Sequence, residues 1–127
     1  MGATIIGTVG TEEKAELAKA HGCDHVILYR TEDVAKRVME ITDGAGVKVS
    51  YDSVGKDTFQ ATLDSLAPMG MFVSFGQASG PIPPFAPAVL APKCLYFTRP
   101  TLFVYNRNRQ LLEESAGRLF EVLSSGV

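Results

Sequence analysis

The feature that most constrains this chain is a regular alternation. Short, strand-like apolar runs take turns with helix-period segments, and glycines or capping residues mark the junctions. Residues 3–9 (ATIIGTV) are rich in β-branched side chains with no charge, as suits a strand covered on both faces. Gly10 follows as a turn, and Thr11 can cap a helix whose first turn holds Glu12 and Glu13, where the helix dipole favours anions. That helix is expected to reach about Ala20 or His21, with Gly22 after its end. Residues 24–28 (DHVIL) form a second strand. Thr31 is expected to cap the next helix, with Glu32 and Asp33 in its first turn and Val34, Val38 and Ile41 on one face. The cluster Asp43-Gly44-Ala45-Gly46 ends it, and residues 47–53 (VKVSYDS) form a third strand with Val47, Val49 and Tyr51 on one side.

Beyond the break at Gly55, Phe59, Leu63 and Leu66 give a third helix its apolar stripe, and Pro68 and Gly70 are expected to stop it. Residues 71–75 (MFVSF) are a fourth strand, closed by Gly76. Five of the seven prolines fall in residues 77–93, which should be largely loop with at most one helical turn near residues 87–90. Residues 94–98 (CLYFT) form a fifth strand, stopped by Pro100. The last helix, residues 110–123, carries Leu112, Ala116, Leu119 and Leu123 on one face, and Gly126 caps its end. Strands joined through single helices must be parallel. The expected fold is therefore α/β, a parallel sheet between two helix layers.

At 127 residues there is room for one domain. A net charge of −2 leaves no basic excess to hold a phosphate backbone, so nucleic acid is not an expected partner. A membrane span takes about 20 apolar residues, and the apolar runs here, such as residues 26–29 and 70–75, are far shorter. Met1 precedes a strand-like segment rather than a basic region and an apolar signal core. Cys23 and Cys94 lie far apart, with no CxxC or His-x-x-His pair, so reduced thiols and a cytoplasmic location are expected, without a metal site.

Open parallel sheets bind ligands at the carboxyl ends of their strands. Four loops qualify, residues 10–14, 29–31, 53–56 and 76–80. In the first (GTEEK), Gly10 allows close approach, Thr11 and its neighbours offer helix N-terminal amides, and Lys14 can counter Glu12 and Glu13 as a point charge for phosphate. The same residues also describe a capped helix with a solvated lysine. In the second, Tyr29 can stack on a flat ring, donate its hydroxyl, or simply pack. The third (YDSVG) and fourth (VSFG) each end in a glycine that permits close backbone approach. No nucleophile–base pair is evident. His21 and His25 flank one helix–strand turn away from the carboxyl ends, and Asp52 lies near a strand end without an obvious partner.

Taken in order, GTVGTEEKAELAKAHGCDHVILYRTED, YDSVGKDTF, MFVSFGQASG and LYFTRPTL resemble the cofactor-binding domain of the NADPH:quinone oxidoreductases, zinc-free members of the medium-chain dehydrogenase/reductase superfamily akin to zeta-crystallin. The resemblance covers nearly the whole chain. It implies a Rossmann-like three-layer αβα fold and NADP as cofactor. By position it implies that Lys14 and Tyr29 grip the adenosine 2′-phosphate and that Gly10 and Thr11 line the ribose. Ser53 and Val54 would approach the adenine or ribose, and Phe75, Gly76 and Gln77 the nicotinamide end. A lysine where an acid would hold the ribose 2′-hydroxyl favours NADP over NAD. The strand at residues 94–98 resembles one that joins subunits of such dimers through a shared sheet.

The GxGxxG or AxxGxxG turn that presents amides to the pyrophosphate is not in this sequence, nor is a separate catalytic domain. The expectation is a partial NADP-binding domain over residues 1–127 that lacks its first β-α unit. With strand order 3-2-1-4-5-6 the missing strand is central, so strands 2 and 3 would part from 4, 5 and 6 and leave unpaired edges. Association is expected, as a homodimer that can involve strand exchange. The implied parent passes hydride from NADPH to a quinone or similar small electrophile, and the chain alone is expected to be inactive. Two alternatives are a non-catalytic nucleotide-binding or oligomerisation module and the cofactor domain of an enoyl or alkenal reductase.

Overall fold

The computed structural model describes residues 2–126. Its order is β1 (Ile6–Val9), α1 (Glu12–Ala20), β2 (His25–Leu28), α2 (Val34–Ile41), β3 (Val47–Asp52), α3 (Phe59–Ser65) and β4 (Leu66–Ser74). A 3-10 helix (Pro87–Lys93) follows, then β5 (Tyr96–Thr98), α4 (Leu102–Tyr105) and α5 (Arg109–Ser124). Every strand pair is parallel, and helices flank the sheets as expected. The pairing divides where the sequence places the gap: β1-β2 form one sheet and β3-β4-β5 another.

The core of the larger sheet is aromatic. Leu63, Leu66 and Phe72 are buried together, with Phe59 and Phe97 packed against them. Phe59, Phe72, Phe97 and Phe85 close a ring with centroid separations of 5.8, 5.1, 5.3 and 4.9 Å. Each such pair adds about 0.5–1.5 kcal/mol beyond the area it buries. The register sets Phe72 beside Phe97, so both point to the face that α3 covers. The alternate residues Tyr51, Val73 and Thr98 share the opposite face, where Tyr51 is 75% exposed. Val73 on that face is buried at 8%, beside a hollow of about 440 Å³ that Tyr105 helps to line.

Several local expectations shift. Thr11 caps α1 as read, its hydroxyl accepting from the Lys14 amide at 3.4 Å. Thr31 does not cap α2; Asp33 does, accepting from the Lys36 amide at 3.0 Å. Glu32 stays outside that helix because its carboxylate accepts from the Leu28 amide at 2.7 Å. Leu66 opens β4 instead of closing α3, and Pro68 and Gly70 lie within β4. They fit there because pairing with β3 skips from Leu66 to Met71, and Met69 takes φ 59° in the bulge between. The 3-10 helix extends to Lys93, past the single turn expected, with Pro87 in its first turn and Pro92 inside it. β1 and β5 are shorter than read, and α4 was not anticipated. The apolar stripe of α5 is present but exposed, with Leu119 at 57%.

Candidate functional site

Two groups of residues gather at the carboxyl ends of strands. The first lies where β1 meets α1. The Tyr29 amide donates to the Val9 carbonyl at 3.1 Å, which carries residues 29 and 30 alongside Gly10. A β-carbon on Gly10 would stand 2.8 Å from the Tyr29 hydroxyl and 3.2 Å from Arg30 Nε. Glycine here lets both side chains lie against the backbone; a larger residue would push the exposed ends of Tyr29 and Arg30 aside. Thr11, Lys14, Tyr29 and Arg30 are all exposed. Among the described residues neither Lys14 nor Arg30 forms an ion pair. The result is a cradle with a hydroxyl, two free cations and the α1 amides, with Glu12 and Glu13 as its opposing charges. Such a donor set fits a phosphate-bearing nucleoside. Arg30 is the residue that sequence reasoning passed over; its signal was its place directly after Tyr29.

The second group is built from two loops locked together. The Phe75 and Gly76 amides donate to the Asp52 carbonyl at 2.9 and 3.4 Å. The Ala78 amide donates to the Ser53 carbonyl at 3.1 Å and the Ser79 amide to the Val54 carbonyl at 2.8 Å. The Lys56 amide reaches the Gly80 carbonyl at 3.1 Å, and the Asp57 amide the Ser79 hydroxyl at 3.0 Å. The contact is close enough that Gly55, at φ +95°, could not carry a β-carbon without meeting the Gly80 carbonyl at 2.5 Å. Ser53, Val54, Phe75, Gly76 and Gln77 are thereby brought together, with Ser53, Phe75 and Gln77 exposed. Gly76 and Gln77 also line a hollow of about 390 Å³ with Pro81, Phe85, Phe97 and Arg99. Among the described residues no hydrogen bond joins this group to the first.

Asp52 has partners that sequence spacing concealed. One carboxylate oxygen accepts from the Val54 and Gly55 amides at 2.7 and 2.9 Å. The other accepts from the Thr58 and Thr62 hydroxyls at 2.6 and 2.9 Å. Burial, the largest single influence, pushes its pKa up, but the four hydrogen bonds together hold it below its ordinary value of 3.8. His21 Nδ1 lies 2.8 Å from the Leu17 carbonyl, which can only accept from it, away from both groups. Cys23 and Cys94 are free. Among the described residues no group of three or more His, Cys, Asp or Glu side chains could hold a metal ion, and no helix is long and apolar enough to cross a membrane.

Residues 1–120 match the family described as zinc-binding dehydrogenase. The chain is 48% identical over 129 residues to a 2-haloacrylate reductase of a Burkholderia species, a match covering 100% of this chain and 39% of the relative. Its fold follows a Pseudomonas syringae quinone oxidoreductase with a TM-score of 0.93 at 52% identity, over 98% of this chain and 39% of that one. It follows Escherichia coli quinone oxidoreductase complexed with NADPH with a TM-score of 0.92 at 46% identity, over the same shares. The chain therefore spans about two fifths of the length of the relatives it matches.

Proposed function

The chain belongs to the zinc-binding dehydrogenase family, and on that premise we propose that it is the nucleotide-binding part of an NADPH-dependent oxidoreductase that passes hydride to a quinone or a similar small electrophile. The observation that carries this is the cradle at Gly10, where Tyr29 and Arg30 lie against the glycine and Lys14, one helical turn away, forms no ion pair among the described residues. In this reading Lys14, Arg30 and the Tyr29 hydroxyl hold the adenosine 2′-phosphate, while Gly10 and Thr11 line the ribose. Ser53 and Val54 face the adenine or ribose, and the loop of Phe75, Gly76 and Gln77 orients the nicotinamide end. The bound nicotinamide supplies the hydride; the protein supplies binding, orientation and exclusion of competing reactions. That the Escherichia coli relative was crystallised with NADPH supports the choice of cofactor. The described residues do not fit a zinc ion, so no step is assigned to one.

The chain matches about two fifths of its relatives' length, and in this reading the substrate pocket is formed largely by what corresponds to their remainder. The 127-residue chain alone should show no turnover and should bind NADPH more weakly than micromolar, because no glycine-rich pyrophosphate turn lies within it. The free thiols suit a reducing cytoplasm. β5 is an edge strand, which supports a homodimer joined through a shared sheet or by strand exchange.

The test is steady-state kinetics of the full-length protein with NADPH and with NADH. Lys14→Ala should raise KM for NADPH about tenfold, the equivalent of about 1.4 kcal/mol, and leave that for NADH unchanged. Equal use of both nucleotides with no response to the substitution would overturn the assignment. The 2-haloacrylate reductase relative favours a second reading, in which the acceptor is an activated carbon–carbon double bond. Turnover of 2-haloacrylate in preference to quinones would select it.

A further inference from the structure

We infer that Asp52 is a positioning residue for the nucleotide, an inference that rests on the function proposed above: its carboxylate fixes the loop of residues 53–58, and that loop fixes the loop of residues 75–80. Asp52 is 5% exposed and has no ion pair among the described residues. What compensates its burial is four donated hydrogen bonds, two on each oxygen. An ionised carboxylate accepts all four; an Asn could accept from the two amides through its oxygen while its NH2 donates to the Thr58 and Thr62 hydroxyls, which can accept as well.

The connectivity gives the role. The side chain holds the amides of residues 54 and 55 and the hydroxyls of residues 58 and 62. The main-chain carbonyl of the same residue holds the amides of Phe75 and Gly76. The loop so fixed presents the Ser53 and Val54 carbonyls to Ala78 and Ser79. Asp52 thus governs both segments that carry Ser53, Phe75 and Gln77, and reaches the site only through them.

Asp52→Ala and Asp52→Asn test this in the full-length protein by two measurements. The first is amide hydrogen exchange without nucleotide. Asp52→Ala should lose protection in residues 53–58 and also in residues 75–80, and Asp52→Asn, which can still accept from the Val54 and Gly55 amides, should recover most of it. The second is kinetics. Asp52→Ala should raise KM for NADPH about tenfold with kcat changed less than threefold, and Asp52→Asn should return KM to within about threefold of the parent. Lys93→Met, which loosens α3 at its far end, should lower stability without moving KM. If Asp52→Ala does not fold, Thr58→Val keeps the carboxylate, removes one donor, and should give the same pattern at smaller amplitude. Unchanged protection of residues 75–80, or a KM that moves no more than it does for Lys93→Met, overturns the inference. Absence of any NADPH-dependent activity in the unsubstituted protein would instead overturn the proposed function, and the exchange measurement would still decide whether Asp52 holds both loops.

Discussion

A β-carbon on Gly76 would stand 2.4 Å from the carbonyl oxygen of Ser53. Both partners are backbone, so neither can swing aside, and the two loops are as close as main chains can come. Gly76→Ala should therefore destabilise the protein by about 1–3 kcal/mol, as overpacking does. Gly117 offers the contrast, since a β-carbon there meets nothing within 4 Å on α5. Gly117→Ala should stabilise by about 0.5–1 kcal/mol through helix propensity. Denaturant unfolding of the two variants beside the parent reads both signs.

Lys93 ties the end of α3 to the 3-10 helix. Its ammonium donates to the carbonyls of Leu63, Asp64 and Leu66 at 3.1, 2.8 and 2.7 Å. A cation at a helix C-terminus satisfies orphan carbonyls and complements the dipole. Lys93→Met keeps the aliphatic stem and removes the donors, so it should cost about 1.5–3 kcal/mol, reduced by partial exposure. Thermal unfolding checks this, and a change below about 0.5 kcal/mol would mean that water replaces the ammonium without loss.

The depressed pKa of Asp52 makes a signed prediction. Its value in the folded chain lies below the ordinary 3.8, so the folded state favours the ionised form. The stability this contributes is present in full above the unfolded value and is lost as pH falls through the folded one. The parent should thus lose stability on acidification below about pH 4, and Asp52→Asn should lose less over that window. Parallel curves of stability against pH for the two proteins would show that the carboxylate is not the group responsible.

The capping of α2 can be checked directly. Asp33→Ala removes the acceptor for the Lys36 amide and should cost about 1 kcal/mol. Thr31→Ala should stay within about 0.5 kcal/mol, since its hydroxyl reaches only the Leu28 carbonyl, at 3.4 Å. Reversed magnitudes in urea unfolding would restore Thr31 as the cap.

Element identity was legible in the sequence wherever local chemistry decides it. Thr11, the β-branched runs and the glycine stops all act within a turn of their own position. The misreadings fall where distant contacts choose between locally equal options. Thr31 and Asp33 can both cap; the bond from the Leu28 amide to Glu32 selects the second. Pro68 reads as a helix stop, but the approach of Gly46 to the Ala67 backbone makes residues 66–70 a bulged strand. The site follows the same division. That Gly10 and Tyr29 would meet follows from parallel pairing of β1 with β2, which places Val9 beside Leu28. The two hydroxyl partners of Asp52 lie six and ten positions away, on a loop and a helix whose placement no spacing rule reveals.

The joined loops also set what can vary over time. Gly55 meets Gly80 and Gly76 meets Ser53 through main-chain atoms, so one inserted residue in either loop would throw both out of step. Side chains at Ser53, Lys56 and Gln77 project from this frame without holding it. A new ligand preference can arise there by substitution, whereas loop length is closed to change, the reverse of the freedom that surface loops ordinarily have.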